Sequence, residues 1–503
     1  MSVLTTSRVS FPKLLASIAL AALIIRVGAA WNARALWETD RDLYLSIARQ
    51  ILAGQGFSRP LLWVKSPGVA GESASEVVEW WLVPEPGAIP VCRLQAPAGE
   101  WNPDPGPTAH PTAYRPPLYP CLVALMMWLT GGVWGVILGQ VAGGILTVVL
   151  VTLAARRNGL GEFSLVAGLI VALDPLLVSY TPQVMTETTA AGLVGFLIWS
   201  TSVSPEPWRP LVGGLCLGLC ALCRPTFLAS GLVWGLLWWL SARRVERGSG
   251  IRPLLIVPCG MALMVAPWAI RNLSVLGDWS PTPTQAGSTL RLAHNPQYDA
   301  WLAADLRVPY DGEEFARYAA PQVGIDVLEH IEREVDNAHA KAAWKHIWEH
   351  PSETWNSACS LWKRFWGPIP DSRREAPIWL RLVLTIHWLL VGISAMAGLW
   401  RLSGEPRSSV FSLSLALLGS FTAAHSLYWA DARMRAPLIP VLALLSASGF
   451  RWLVGRGLPS GINDQSPLLG ESNRNKVVPS AIPTDVGLPP ILPGQSDGGK
   501  VAE

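Results

Sequence analysis

The sequence predicts an all-α polytopic membrane protein with about ten transmembrane helices and two long outward-facing segments. Three observations carry this. Half of the 503 residues are hydrophobic and only 15% are charged, against about a quarter in soluble domains, so most of the surface suits lipid rather than water. There are 26 tryptophans, and indole is favoured where lipid meets headgroups, which fits many spans ending at interfaces. The basic residues Arg8, Lys13, Arg156, Arg157, Arg209, Arg243, Arg244, Arg247, Arg252, Arg401, Arg407, Arg451 and Arg456 all fall on one side if the apolar runs alternate, and that side is cytoplasmic.

The runs lie near residues 11–30, 134–155, 162–180, 184–201, 209–223, 226–241, 252–270, 378–400, 408–428 and 435–454. The first resembles a secretory signal, with Ala33-Arg34-Ala35 after it, but Arg26 interrupts its apolar stretch and favours an uncleaved anchor. The stretch 118–130 is short and follows Pro116 and Pro117, so it is expected to lie on the outer face without spanning. Residues 1–455 then form one membrane domain with outer segments at 31–133 and 271–377, and 456–503 is a disordered cytoplasmic tail rich in Pro, Gly and Ser.

The first outer segment opens with an amphipathic helix around 41–53 and continues at 58–112 as irregular structure rich in Pro, Gly and Trp. The second holds a helix at about 325–349, whose charged face (Glu329, Glu332, Arg333, Asp336) and Trp344 and Trp348 suit a helix resting on the membrane. Gly135, Gly139, Gly143, Gly214 and Gly218 allow close helix contact. Five cysteines sit in apolar runs as packing residues, Cys220 and Cys223 lack companion metal ligands, and Cys92 and Cys359 fall in long polar segments where an oxidising compartment allows one disulfide. The net charge of +3 is dispersed, with no basic block interleaved with aromatics, which sets nucleic acid aside.

Ionisable groups beside a bilayer are costly, so their placement carries information. Asp40, Asp42, Arg115, Glu187, Arg224, Arg271, His425, Asp431, Arg433 and Arg435 all fall at or just beyond outer helix ends. Any one of them can be a headgroup anchor. As a set, arginines and carboxylates on one face suit a substrate with a phosphate, which Arg binds bidentately, and a hydroxyl, which a carboxylate can deprotonate.

The run Thr39-Asp40-Arg41-Asp42-Leu43-Tyr44, then Ala48 and Gly54-Gln55-Gly56-Phe57, resembles the first outer loop of bacterial C-type glycosyltransferases, the group with protein O-mannosyltransferases and the enzymes that add aminoarabinose to lipid A. Arg115-Pro116-Pro117-Leu118-Tyr119-Pro120, Met185-Thr186-Glu187, Arg224-Pro225, Pro267-Trp268 with Arg271-Asn272, and Arg433-Met434-Arg435-Ala436-Pro437 follow in the family's order, so the resemblance spans residues 11–455.

The resemblance implies a plasma (inner) membrane glycosyltransferase acting on the extracytoplasmic face. Its donor would be a polyprenyl-phosphate-linked sugar, and its acceptor hydroxyl would belong to a glycan, lipid or protein. It makes Asp40 the catalytic carboxylate, Glu187 an acidic position by the active site, and Arg115 with Arg433 or Arg435 the contacts to the donor phosphate; the placement of residues on the outer face adds Asp42 to the acids and Tyr44, Arg224, Arg271 and His425 to the substrate-binding set. Three departures stand out: Asp40-Arg41-Asp42 replaces an adjacent Asp-Glu pair, which puts a divalent metal bridging two acids in doubt; Met434 separates the late arginines; and 58–112 looks inserted. The competing reading is a transporter or lipid flippase, favoured by Asp174-Pro175 inside a span. A noncatalytic relic is the other.

Overall fold

A computed structural model describes residues 10–65, 77–81, 92–95, 108–245, 252–303, 332–369, 376–404 and 409–457, with backbone only at 60–65, 77–81, 92–95, 108–110, 242, 244–245, 252–253, 335, 409 and 456–457. The chain divides into Met1–Gly457 and Leu458–Glu503. The tail assigned to 456–503, apart from its first two residues, lies outside the described residues, as do residues 325–331 and Glu329 of the second outer segment.

The apolar runs fold as helices at nearly the expected bounds. In chain order they are α1 (Phe11–Asn32), α2 (Tyr44–Leu52), α3 (Leu118–Thr130), α4 (Trp134–Ala155), α5 (Ser164–Leu173), α6 (Pro175–Tyr180), α7 (Glu187–Val203), α8 (Arg209–Ala221), α9 (Thr226–Val245) and α10 (Arg252–Leu276). The second outer segment follows with α11 (Ala286–Ala293), α12 (Pro296–Ala303), α13 (Glu332–Glu349) and α14 (Pro351–Trp366), before α15 (Ile378–Ser403), α16 (Ser409–Leu427) and α17 (Ile439–Gly457). Among the described residues six stretches are long and apolar enough to cross a membrane: Phe11–Asn32, Trp134–Leu173, Leu254–Leu276, Ile378–Ser403, Val410–Leu427 and Ala432–Gly455. Leu118–Thr130, Arg209–Ala221 and Thr226–Ser241 are shorter apolar helices. The protein is therefore a multi-pass, helical membrane protein.

Its outer surface fits that solvent. Leu20 and Ile24 of α1, and Ile378, Leu382, Ile386, Leu390 and Ile393 of α15, are all more than half exposed, an apolar surface that only lipid would cover at no cost. Backbones approach closely inside: a Cβ at Gly214 of α8 would collide with the main-chain oxygen of Val257 of α10, and one at Gly218 would lie 2.8 Å from that of Met261. Gly143 meets nothing, so the close-contact reading holds for the second glycine pair and not for that position.

The span expected at 162–180 is broken. Pro175 cannot donate to the helix ladder, and Asp174 starts the new helix by accepting from the Leu176 and Leu177 amides at 3.1 and 3.0 Å. Carbonyls around the break are bonded by Arg26 of α1, which is buried and donates to Leu177 O at 3.0 Å, Val171 O at 3.3 Å and Thr181 Oγ1 at 2.7 Å. An arginine in an apolar helix is tolerated because it satisfies backbone that the break would otherwise leave bare.

The first outer segment differs from its expected irregular structure. It carries a four-stranded antiparallel sheet of β1 (Ser58–Lys65), β2 (Val77–Trp81), β3 (Cys92–Gln95) and β4 (Thr108–Pro111) in the order β3-β2-β1-β4. The two halves of β1 serve different partners, Ser58 opposite Pro111 of β4 and Leu62 opposite Trp81 of β2. Cys359 is free, and the side chain of Cys92 lies outside the described part.

In the second segment, the face of α13 expected to meet headgroups is partly internal. Asp336 is buried and accepts from the Ser288 amide at 3.1 Å near the start of α11, whereas Trp348 is 79% exposed. Glu332 joins the two outer segments, accepting from Thr112 Oγ1 at 2.6 Å, the Ala113 amide at 3.0 Å and Thr284 Oγ1 at 2.8 Å, with Arg59 Nε 3.0 Å away.

Candidate active site

A small apolar cluster forms the floor of the site. Tyr44, Leu45 and Ala48 of α2 pack with Tyr119, Val123 and Ala124 of α3, Val136 of α4, Val184, Met185 and Cys223. The Leu118 amide donates to Leu222 O at 3.0 Å, which brings the Arg115-Pro116-Pro117 turn against the corner between α8 and α9, where Arg224 stands. A 3-10 turn at Ala432–Leu438, just before α17, packs against α7 and presents Arg433.

Five of the expected residues meet there in one network. Arg115 donates from Nε to Asp42 O at 2.7 Å and from Nη2 to Asp42 Oδ1 at 3.0 Å. Arg433 Nη1 lies 3.3 Å from Asp42 Oδ2 and 3.9 Å from Glu187 Oε1. Arg224 Nη2 donates to Glu187 Oε1 at 2.8 Å, and its Nε to Thr186 Oγ1 at 2.9 Å. Glu187 opens α7 and is wholly buried, where the helix dipole favours a carboxylate; its Oε2 has no hydrogen-bond partner.

Tyr44 is buried beneath this network, edge-on to Tyr119 at 4.9 Å, and the Arg115 guanidinium stands 5.3 Å from the Tyr44 ring and 5.0 Å from that of Tyr114. Burial pushes the Tyr44 phenol up to about 12, so it stays neutral. Burial alone also pushes the Asp42 carboxyl up, but Arg115 and Arg433 outweigh it and hold it at about 2. Burial would lower the Arg115 guanidinium, and Asp42 more than reverses this. The network sets three arginines, Arg115, Arg224 and Arg433, against two carboxylates, Asp42 and Glu187.

Asp40 is placed differently. Both of its oxygens turn to the start of α2, Oδ1 accepting from the Leu45 amide at 3.1 Å and Oδ2 from the Ser46 amide and hydroxyl at 2.7 and 2.6 Å. That is helix capping, three residues further along than a helix beginning at Arg41 would require.

Three other expected site residues lie outside the network. Arg271 donates to the main-chain oxygens of Thr112 and Phe57 at 2.8 Å each and stacks 5.0 Å from Trp268, fastening the base of the sheet to α10. Arg435 is buried, donates to the main-chain oxygens of Phe365 and Gly367, and lies 3.9 Å over Trp388, so its donors go to the end of α14. His425 stacks on Phe365 at 5.1 Å. Thr186, inside the Met185-Thr186-Glu187 motif, and Tyr114, next to the motif that starts at Arg115, also contact the network, and neither is among the expected site residues.

The acids here are a poor match for a divalent cation. Asp42 is neutralised by two arginines, Glu187 by Arg224, and Asp40 is bonded by helix donors. Among the described residues no group of three or more His, Cys, Asp or Glu is arranged to hold one.

Beside the network lies a cavity of about 520 Å³ that runs past Arg41, Tyr180 and Gln183 to His387 and Arg435, with apolar walls from Leu380, Leu384 and Ile439. Asp174 borders it, 3.4 Å from His387 Nε2.

No family model matches the chain, and no curated protein matches it in sequence. Some solved structures do match. The archaeal oligosaccharyltransferase AglB from Archaeoglobus fulgidus, in complex with an inhibitory peptide and a dolichol-phosphate, matches at a TM-score of 0.47 and 13% identity over 88% of this chain and 50% of that one. The A. fulgidus oligosaccharyltransferase tethered to an acceptor peptide gives 0.49 at 13% identity, again over 88% and 50%. ArnT from Cupriavidus metallidurans bound to undecaprenyl phosphate gives 0.34 at 14% identity over 89% and 79%. The chain thus spans about half the length of the oligosaccharyltransferase chains it matches.

Proposed function

We propose that this protein is a membrane glycosyltransferase that moves a sugar from a polyprenyl-phosphate donor to an acceptor hydroxyl. The observation that carries the reading is the convergence of Arg115, Arg224 and Arg433, from three distant parts of the chain, on Asp42 and Glu187. Three positive charges less two negative ones leave one, which a phosphodiester, with its single negative charge, would balance. Guanidinium pairs phosphate oxygens in the same fork geometry in which Arg115 now holds Asp42.

The chemistry follows from that seat. The acceptor oxygen attacks the anomeric carbon as the bond from that carbon to the phosphate oxygen breaks, giving inversion. The lipid phosphate leaves with added negative charge, which preorganised arginines stabilise in the transition state. The acceptor's proton goes to Asp40 on the first outer loop, with Asp42 and Glu187 fixing the arginines. Capping does not prevent this role, because a carboxylate has more lone pairs than the three donors it meets here.

The wider arrangement belongs to the same proposal. Ten spans in the plasma (inner) membrane put the basic connections inside and the arginine network outside, where a lipid-borne donor replaces nucleotide sugars. Residues 1–455 act as one unit, and the acceptor is a glycan, lipid or protein. Transport is the weaker reading, since Asp174 is accounted for by capping α6 and pairing with His387. Turnover tests the proposal: protein in liposomes with a panel of sugar-labelled polyprenyl phosphates should release label from at least one lipid, and retention of label on all of them would count against it.

A further inference from the structure

Arg115 grips Asp42 by both its main-chain oxygen and its carboxylate, while Arg433 takes the other carboxylate oxygen. Two oxygens on one small anion thus fill the donor positions of two guanidinium groups, the pattern two oxygens of a phosphate would make. The residue after Asp42 is strained. Leu43 has φ 64° and ψ 10°, the single non-glycine residue with positive φ among the described residues, and leucine has no polar atom with which to offset the clash of its Cβ. The loop is held in this shape from both ends, by Arg115 on Asp42 and by the bonds of Asp40 to Leu45 and Ser46.

The contact is also built to be given up. Arg433 stands between two acids and keeps Glu187 at 3.9 Å if Asp42 leaves, while Arg224 stays paired to Glu187 at 2.8 Å. A phosphate arriving between Arg115 and Arg433 would replace the one negative charge that Asp42 takes away and contact both guanidinium groups, so neither buried cation is left bare.

Resting on the transferase reading above, we infer that Asp42 is a built-in occupant of the donor-phosphate seat, displaced from Arg115 and Arg433 when the donor's phosphate binds. Displacement exchanges two carboxylate contacts for two phosphate contacts and lets Leu43 leave the left-handed region. Asp42 is a positioning residue in this scheme, and the strain at Leu43 biases the exchange toward the bound form.

The test is binding of undecaprenyl phosphate, without sugar, to the full chain in nanodiscs. Asp42→Asn should bind about tenfold more tightly than wild type, because the competing anion is gone. Leu43→Gly, which removes the strain and leaves every charge in place, should bind roughly fivefold more weakly. Arg115→Ala should lose most binding. Asp42→Asn binding no more tightly than wild type, while Arg115→Ala still fails, would overturn the displacement and leave the phosphate seat standing. Wild type failing to bind, or Arg115→Ala binding normally, would overturn both. Should Asp42→Asn not fold, Leu43→Gly decides alone: weaker binding supports the displacement, and equal or tighter binding overturns it.

Discussion

Arg433 Nη1 lies 3.3 Å from Asp42 Oδ2, a contact between residues 391 positions apart in the chain. It ties the loop after α1 to the turn before α17, so the site forms only when the first and last parts of the membrane domain are both in place. Arg224 and Glu187, from the middle of the chain, complete the ring.

If the proposed donor seat is right, removing Arg115 or Arg433 should affect ligand more than fold. Arg115→Ala and Arg433→Ala are expected to lower turnover of a polyprenyl phosphate sugar by tenfold or more, about the loss of one charge-assisted bidentate contact, with lysine restoring only part. Steady-state rates beside expression level and melting temperature check this. Unchanged rates for both alanine variants would return these residues to an anchoring role.

Arg224 should behave in the opposite way. Glu187 is wholly buried and Arg224 is its near partner at 2.8 Å, so Arg224→Ala leaves a buried carboxylate with only the Arg433 guanidinium, 3.9 Å away and shared with Asp42. The expected loss is about 3 to 5 kcal/mol of stability, much of it recovered in the double variant Arg224→Met with Glu187→Met. Unfolding in mixed micelles reads both.

Asparagine separates two roles for Asp40. It takes no proton at neutral pH but keeps one acceptor oxygen where Asp40 uses two, so Asp40→Asn should lose one bond at the start of α2, about 1 kcal/mol of stability, and keep donor binding while turnover falls about a hundredfold. Near-normal turnover would leave Asp40 as the cap of α2 alone.

A pH-dependent stability term sits in the second outer segment. Burial, then the charge of Arg291, lowers the His339 imidazole to about 4, below its unfolded value of about 6.5. The unfolded chain takes up this proton first as pH falls, so His339 subtracts stability progressively from about pH 6.5 down to 4 and nothing further below. The loss is on the order of 2 to 3 kcal/mol, and His339→Gln should show a melting temperature less sensitive to pH across that window.

The helices were legible because a span is a run of apolar residues bounded by charge, a pattern local in the chain: the run at 134–155 is α4 residue for residue. The sheet was not legible. Its strands pair across dozens of residues, and nothing in the composition of 58–112 states which carbonyl meets which amide. The site divides along the same line. Charge bias places Arg115, Arg224, Arg271, Arg433 and Arg435 at outer helix ends, yet Arg271 and Arg435 spend their donors on main-chain oxygens of Phe57, Thr112, Phe365 and Gly367, partners that have no signature in a sequence. Asp42 meets the arginines and Asp40 the start of α2, a division that follows from the turn at Leu43 and has no signature in the spacing of the two acids.

The most direct measurement is a structure of the chain with bound undecaprenyl phosphate. The phosphorus should lie between the guanidinium groups of Arg115 and Arg433, within hydrogen-bond reach of both, with the Asp42 carboxylate moved away from them. A phosphate seated elsewhere, such as in the cavity beside Arg41 and Arg435, with Asp42 still held by Arg115 and Arg433, would contradict the account.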